Sequence, residues 1–202
     1  MKILGLSCSP RKAGNTDTLI TEALAGVTSE GVETEFFSVA GKDIKPCDGC
    51  GACRKTGVCN IKDDMQTLYE RLLEADGIIY GTPVYFHGMS AQAKAIVDRT
   101  LALRYPTIQL SGKVGGVIAT AGRLGIIDVL KSFYFYFAFN HMIPADYVIS
   151  HVAGKAVKED ELTLKTAYEL GREMAQMVKQ KFEFPPEFAR GLTPYVAEKY
   201  NL

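Results

Sequence analysis

Five short apolar runs alternate with longer amphipathic stretches along this chain, and that order leaves few folds open. Residues 2–8 (KILGLSC), 77–82 (GIIYGT) and 113–120 (KVGGVIAT) are compact runs bounded by turn residues. Residues 32–39 (VETEFFSV) alternate in part, and residues 146–151 (DYVISH) complete the set. Between them lie segments of helical period. Residues 15–28 place Leu19, Ile20, Ala23, Leu24 and Val27 on one face. Asp63 and Asp64 open a second helix, suited to its N-terminus by charge and capping. Further helices are predicted over 90–103, 124–140 and 159–179. Strands alternating with helices make βαβ units, hence a parallel sheet covered on both faces.

Five such strands fit a flavodoxin-like doubly wound α/β sheet of order 2-1-3-4-5, in which ligands bind outside the carboxyl ends of the strands. Every loop that follows a strand then lies at one edge. Residues 1–182 are read as one domain, and 202 residues at 47% hydrophobic are enough to bury a good core. The tail, 183–202, carries Pro185, Pro186 and Pro194; it is expected to be irregular and to pack on a neighbouring subunit.

Three of the loops at that edge share a ligand logic. After strand 1 comes Ser9-Pro10-Arg11, then Asn15 and Thr16 at the start of a helix. Free backbone N–H groups, hydroxyls and one fixed positive charge suit a terminal monophosphate such as that of FMN. The alternative is a plain turn capped by Asn15 or Thr16. After strand 3, Thr82-Pro83-Val84-Tyr85-Phe86 offers a rigid turn with two aromatics, a platform for a flat ring or an ordinary core corner. After strand 4, Ala121-Gly122-Arg123 permits close backbone approach. Together the three loops describe an FMN cleft.

The long loop over 41–62 holds Cys47, Cys50, Cys53 and Cys59, spaced C-x2-C-x2-C-x5-C within thirteen residues. A connection this long is expected to be functional. Four thiolates suit a soft metal centre. The spacing departs from the bacterial ferredoxin run C-x2-C-x2-C-x3-C-P, with Asn60 in place of proline. An iron–sulfur cluster, a structural zinc and unliganded thiols all remain open, with crowding of the first three ligands favouring a cluster. Cys8 ends the first strand and reads as a small buried apolar residue. His87, His141 and His151 show no metal-ligand spacing.

Lys+Arg and Asp+Glu each total 23, so the formal net charge is zero and neither a nucleic-acid footprint nor a polybasic membrane anchor is expected. The first residues are too short an apolar run for a signal peptide, and the aromatic stretch 133–139 is too short and polar to span a bilayer. A cytoplasmic location follows as an expectation, and there a cysteine cluster reads as a metal site.

The set S-x-S-P-R-K-x-G-N-T, then the four-cysteine run followed by D-D-M, then G-T-P-V-Y-F, resembles the NADPH-dependent FMN reductase superfamily over roughly residues 1–150. Within it, the chain looks like the iron–sulfur flavoproteins of anaerobic microbes. The resemblance implies a flavin-dependent oxidoreductase that binds FMN and carries a [4Fe–4S] cluster on Cys47, Cys50, Cys53 and Cys59. It further implies electrons passing from a ferredoxin-type donor through the cluster to FMN, and on to dioxygen, peroxide or a quinone-like acceptor. Homodimers or homotetramers are implied as well. The neighbouring alternatives are an NAD(P)H-dependent FMN or quinone reductase with structural cysteines, and a flavodoxin-like carrier.

Overall fold

A computed structural model describes residues 1–152 and 156–201. In chain order the elements are β1 (Lys2–Ser7), α1 (Asn15–Ser29), β2 (Glu33–Ser38), α2 (Ala52–Thr56), α3 (Met65–Glu74), β3 (Gly77–Tyr85) and β4 (Gly88–Met89). There follow α4 (Ala91–Arg99), β5 (Val114–Ala121), α5 (Ile126–Phe139), β6 (Ile143–His151), α6 (Glu161–Lys179) and α7 (Leu192–Tyr200). Short 3-10 turns span Thr100–Arg104, Val157–Glu159 and Pro186–Phe188.

The parallel strands run in the order β2-β1-β3-β5-β6, and β4 folds back antiparallel on the end of β3. With that two-residue hairpin arm set aside, this is the expected 2-1-3-4-5 order. Side chains on a strand alternate between faces, and both faces here are apolar. Ile3, Ile79, Ile118 and Val148 meet α1 and α6 through Leu19, Ile20, Ala23, Leu170 and Met174. Leu4, Leu6, Ile78, Tyr80 and Val117 meet α3, α4 and α5 through Leu68, Leu72, Ile96, Phe133 and Phe137. Each such side chain contributes about 1.5–3 kcal/mol on full burial.

The two helices of the first face cross almost backbone to backbone. A Cβ on Gly26 would sit 1.9 Å from the Tyr168 carbonyl oxygen, and one on Gly171 would sit 1.8 Å from that of Ala23. Only glycine at both positions lets α1 and α6 approach this closely.

Several local expectations are corrected. The last strand begins at Ile143, not 146, because Pro144 sits on an edge strand where no ladder donor is needed. The helix predicted over 90–103 ends at Arg99 and tightens into a 3-10 turn. The cysteine loop contains a short helix, α2, between Gly51 and Gly57, both at positive φ. Asp64 is the cap residue of α3 but makes no side-chain cap bond; Asp63 accepts from the Met65 N–H at 3.1 Å instead. The tail is not irregular: Pro186 starts a 3-10 turn, and Pro194 lies in the first turn of α7, where no N–H is required. Its first half packs on its own chain, with the Ile108 N–H donating to Ala189 O at 2.8 Å and His141 stacked on Phe184 at 4.7 Å. Leu192 and Tyr200 of α7 stay exposed, and Leu202, the end of the tail, lies outside the described residues. Among the described residues, no helix is long and apolar enough to cross a membrane.

Candidate functional site

The loop after β1 is closed by a carboxylate that sequence reasoning missed. Asp17, in the first turn of α1, accepts from Ser7 Oγ at 2.5 Å and from the Ala13 N–H at 2.7 Å. Ser9 turns the loop at its other end, accepting from the Arg11 N–H and donating to Arg11 O, both at 3.2 Å. The cap residue of α1 is Gly14, with no side-chain cap bond. Asn15 and Thr16 are therefore not its caps, and the helix N-terminus keeps its donors for an anion. Asn15 Oδ1 accepts from the Val157 N–H at 3.2 Å, while Thr16 Oγ1 meets Thr120 Oγ1 at 3.0 Å. Ser9 and Thr16 are buried; Pro10 and Arg11 are exposed. Cys8 is buried, and burial pushes its thiol up to about 12, which keeps it protonated and inert.

The loop after β3 is knitted to β1 by a second residue that sequence reasoning passed over. Ser90 Oγ donates to Cys8 O at 2.8 Å and caps α4 by accepting from the Ala93 N–H at 3.2 Å. Thr82 Oγ1 accepts from the Ser90 N–H at 3.1 Å, so Thr82 and Pro83 are buried supports. Val84 is half-buried, and Tyr85 and Phe86 are exposed, Phe86 at 99%. Phe86 and His87 form the hairpin turn to β4, at φ 45° and 67°. Bulky residues at positive φ are genuine outliers, and such outliers cluster at functional sites. The loop after β5 comes up against this turn: a Cβ on Gly125 would lie 2.5 Å from His87 Cα. Ala121 is buried, Gly122 and Arg123 are exposed, and a Cβ on Gly122 would meet nothing. The three loops thus share one sheet edge, tied by Thr16–Thr120, Ser90–Cys8 and Gly125–His87. The cradle fits a flavin: a helix N-terminus with free donors, open backbone at Gly122 and exposed aromatics between them.

The four cysteines line one cavity of about 230 Å³, together with Asp48, Gly49, Gly51 and, from α4 and its 3-10 extension, Asp98, Arg99, Leu101 and Ala102. The loop leaves the sheet edge after β2 and lies against the far end of α4, roughly 13 Å along that helix from Ser90. Cys47 and Cys50 are exposed, Cys53 and Cys59 half-buried. Burial raises the Cys53 thiol, and the thiols of Cys59, Cys47 and Cys50 around it add to the effect. Among the described residues, no three His, Cys, Asp or Glu side chains form a ligand set for a metal ion as they stand. All four cysteines nonetheless line one cavity, and an all-thiol donor set there fits a cluster.

The stems of the loop are clamped by an ion pair. Asp43 N–H donates to Asp64 Oδ2 at 2.7 Å, and Asp64 N–H returns to Asp43 O at 2.9 Å. Arg99 then grips both stems: Nη1 donates to Lys45 O and Asp63 Oδ2, each at 2.8 Å, and Nη2 to Asp63 Oδ1 at 2.9 Å and Ile61 O at 3.3 Å. Both side chains of the pair are 0% exposed. Burial alone would raise the Asp63 carboxyl; the Arg99 guanidinium and the N–H groups of Lys45 and Met65 outweigh it and hold it below its usual range. Tyr69 OH donates to Arg99 O at 2.8 Å; burial raises its phenol, and the neighbouring Cys59 thiol raises it further. Sequence reasoning takes Asp63 as a helix starter within the D-D-M run and passes over Arg99. The available signal was a lone arginine inside an apolar helical period, which needs a buried partner.

The architecture and its loop edge are those of a flavodoxin-like protein. In comparison with solved structures, RosB with bound 8-demethyl-8-formylriboflavin-5'-phosphate matches with a TM-score of 0.73 at 20% identity, over 89% of this chain and 79% of that one. A flavodoxin from the domain Archaea matches at 0.59 and 17% identity, over 89% and 99%. An iron-sulfur flavoprotein of Methanocaldococcus jannaschii is 42% identical over 190 residues, which is 89% of this chain and 98% of that protein. The sequence profile of the NADPH-dependent FMN reductase family matches residues 1–155. The chain belongs to that family and, within it, to the iron–sulfur flavoproteins, and is a flavin-dependent oxidoreductase.

Proposed function

We propose that this chain binds FMN and one [4Fe–4S] cluster and carries electrons from a ferredoxin-type donor to a small acceptor of the dioxygen, peroxide or quinone-like class. One observation carries the reading: Cys47, Cys50, Cys53 and Cys59 surround a single cavity in a chain whose sheet edge is built as a flavin cradle. When bound, the cluster supplies one-electron and FMN one- or two-electron chemistry; the protein supplies position and electrostatics.

The residues divide the work. Ser9, Pro10, Arg11, Asn15 and Thr16 form the phosphate grip, with Asp17 holding the loop shut behind them. Tyr85, Phe86, Ala121, Gly122 and Arg123 take the ring; Thr82, Pro83 and Val84 set the height of the hairpin that carries it. The exposed Leu124, Ile127, Phe135 and Phe139 form an apolar face on and beside α5, the kind of patch that a partner covers. We assign that face to a second copy of the chain, in a homodimer or homotetramer, with α7 as an additional arm. The setting is the cytoplasm, where exposed thiols stay reduced.

Anaerobic purification with iron, acid-labile sulfide and flavin assays tests this. The expected result is one cluster and one FMN per chain; zinc without iron would sink the cluster. A second reading, NAD(P)H as the direct donor, is favoured by the family profile over residues 1–155. Fast, complete bleaching of the flavin by NADPH alone would select it over a ferredoxin-type donor.

A further inference from the structure

Arg99 is among the largest fully buried side chains of the protein, 2% exposed, and it lines the cavity of the four cysteines. Its two terminal nitrogens are used up on the loop stems and Asp63. Its Nε is buried and has no hydrogen-bond partner among the described residues. A guanidinium keeps all five N–H donors at any pH a protein sees, and leaving one buried without an acceptor is destabilising. A tetrathiolate cluster held by the four cysteines would be an acceptor of the missing kind, with sulfur lone pairs and net negative charge.

We infer that Arg99 is a positioning residue for the metal centre: its Nε–H donates to a cysteine or cluster sulfur, and that bond raises the reduction potential of the centre. Hydrogen bonds to sulfur and nearby charge are among the protein's levers on cluster potential. Reduction adds one negative charge to the centre, so a hydrogen-bond donor to its sulfur favours the reduced form. Asp63 fixes the direction of this effect. It holds the guanidinium from the stem side through both terminal nitrogens, which leaves Nε as the edge of the fork without a protein acceptor. Tyr69, bonded to the Arg99 carbonyl at 2.8 Å, keeps this turn of α4 in place.

The inference rests on the cluster reading above, and the test separates the two. Wild-type protein without iron and sulfide overturns that reading and this inference with it. Given a loaded wild type, the midpoint potential is titrated anaerobically and followed by electron paramagnetic resonance. Two variants are compared: Arg99→Lys, which keeps the charge and removes the fork, and Arg99→Met with Asp63→Leu, which removes both charges and leaves neither partner stranded. The expected result is a more negative midpoint in both, by at least tenfold in the reduction equilibrium, or about 59 mV for one electron. In protein labelled with 15N-arginine, the reduced centre should show a nitrogen coupling that Arg99→Lys abolishes. Full iron content with a wild-type midpoint in both variants overturns the inference. So does loss of the cluster from both while fold and flavin persist, since Arg99 would then be only a clasp on the loop stems.

Discussion

Asp63 shows how much one side chain can carry. Its carboxylate is buried, joins two loop stems and neutralises Arg99, and its acidity is held below the ordinary carboxylate range. A depressed native value means stability that is present above the unfolded value, about 3.9, and lost as pH falls through the native one. Urea midpoints measured from pH 7 downward should therefore drop below about pH 4. Asp63→Asn should be less stable by about 3–5 kcal/mol at neutral pH, since it strands a buried cation, and should show a flatter acid limb. An unchanged acid limb in the variant would remove Asp63 from the account. Cys50 makes the opposite case, of a residue whose work is local. Its N–H donates to Asp48 Oδ1 at 3.1 Å and it lines the cavity of the cysteine loop. Cys50→Ala should lose iron and sulfide yet keep FMN, read by metal assay and flavin absorbance; loss of both would mean that the cysteine loop also builds the flavin site.

Between elements, the tightest fit is the crossing of α1 and α6. Both helices are amphipathic, and each presents a glycine where the other's carbonyl oxygen arrives within 2 Å of a Cβ position. Backbone cannot yield as a side-chain tip does. Gly171→Ala should cost about 3 kcal/mol, at the upper end of overpacking, measured by chemical denaturation. A near-neutral result would mean that the helices slide apart freely. The consequence extends to the site, because α1 starts at the proposed phosphate grip and its N-terminus is pinned to β5 through Thr16 and Thr120. Displacing α1 should therefore also weaken FMN retention. The hairpin after β3 differs in kind: its pairing is two residues long, and its turn places Phe86 and His87 at positive φ. Packing against the Gly125 segment holds it in that conformation.

Across the whole molecule, the parallel sheet turns all strand-end loops to one edge, and the α5 side leaves apolar surface uncovered. Phe135 is 74% exposed and stacks on Phe139, beside a groove of about 670 Å³ that runs from Gly88 and Met89 to Arg104. Sedimentation of the holoprotein should give an oligomer, and Phe135→Glu should shift it toward monomer by at least tenfold in the association constant. An oligomer indifferent to that change would place the interface elsewhere. The groove shares Asp98 and Leu101 with the cysteine cavity. A subunit seated there would lie next to both the hairpin after β3 and the cysteine loop.

Much of this was legible in the chain itself. Strand and helix periods, the order of loops and the four-cysteine spacing are local patterns, and local patterns survive in a sequence because they repeat over neighbouring residues. They determined the α/β class, the loop edge and the thiol donor set. What the tertiary structure alone decided are the pairings over long separations: Ser7 with Asp17 across a loop, Ser90 with Cys8, Thr16 with Thr120, and Arg99 with Asp63. Each is a buried polar contact whose partner is chosen by the packing of the sheet. No periodicity announces it, because burial creates the need for a partner and only the fold brings one within reach.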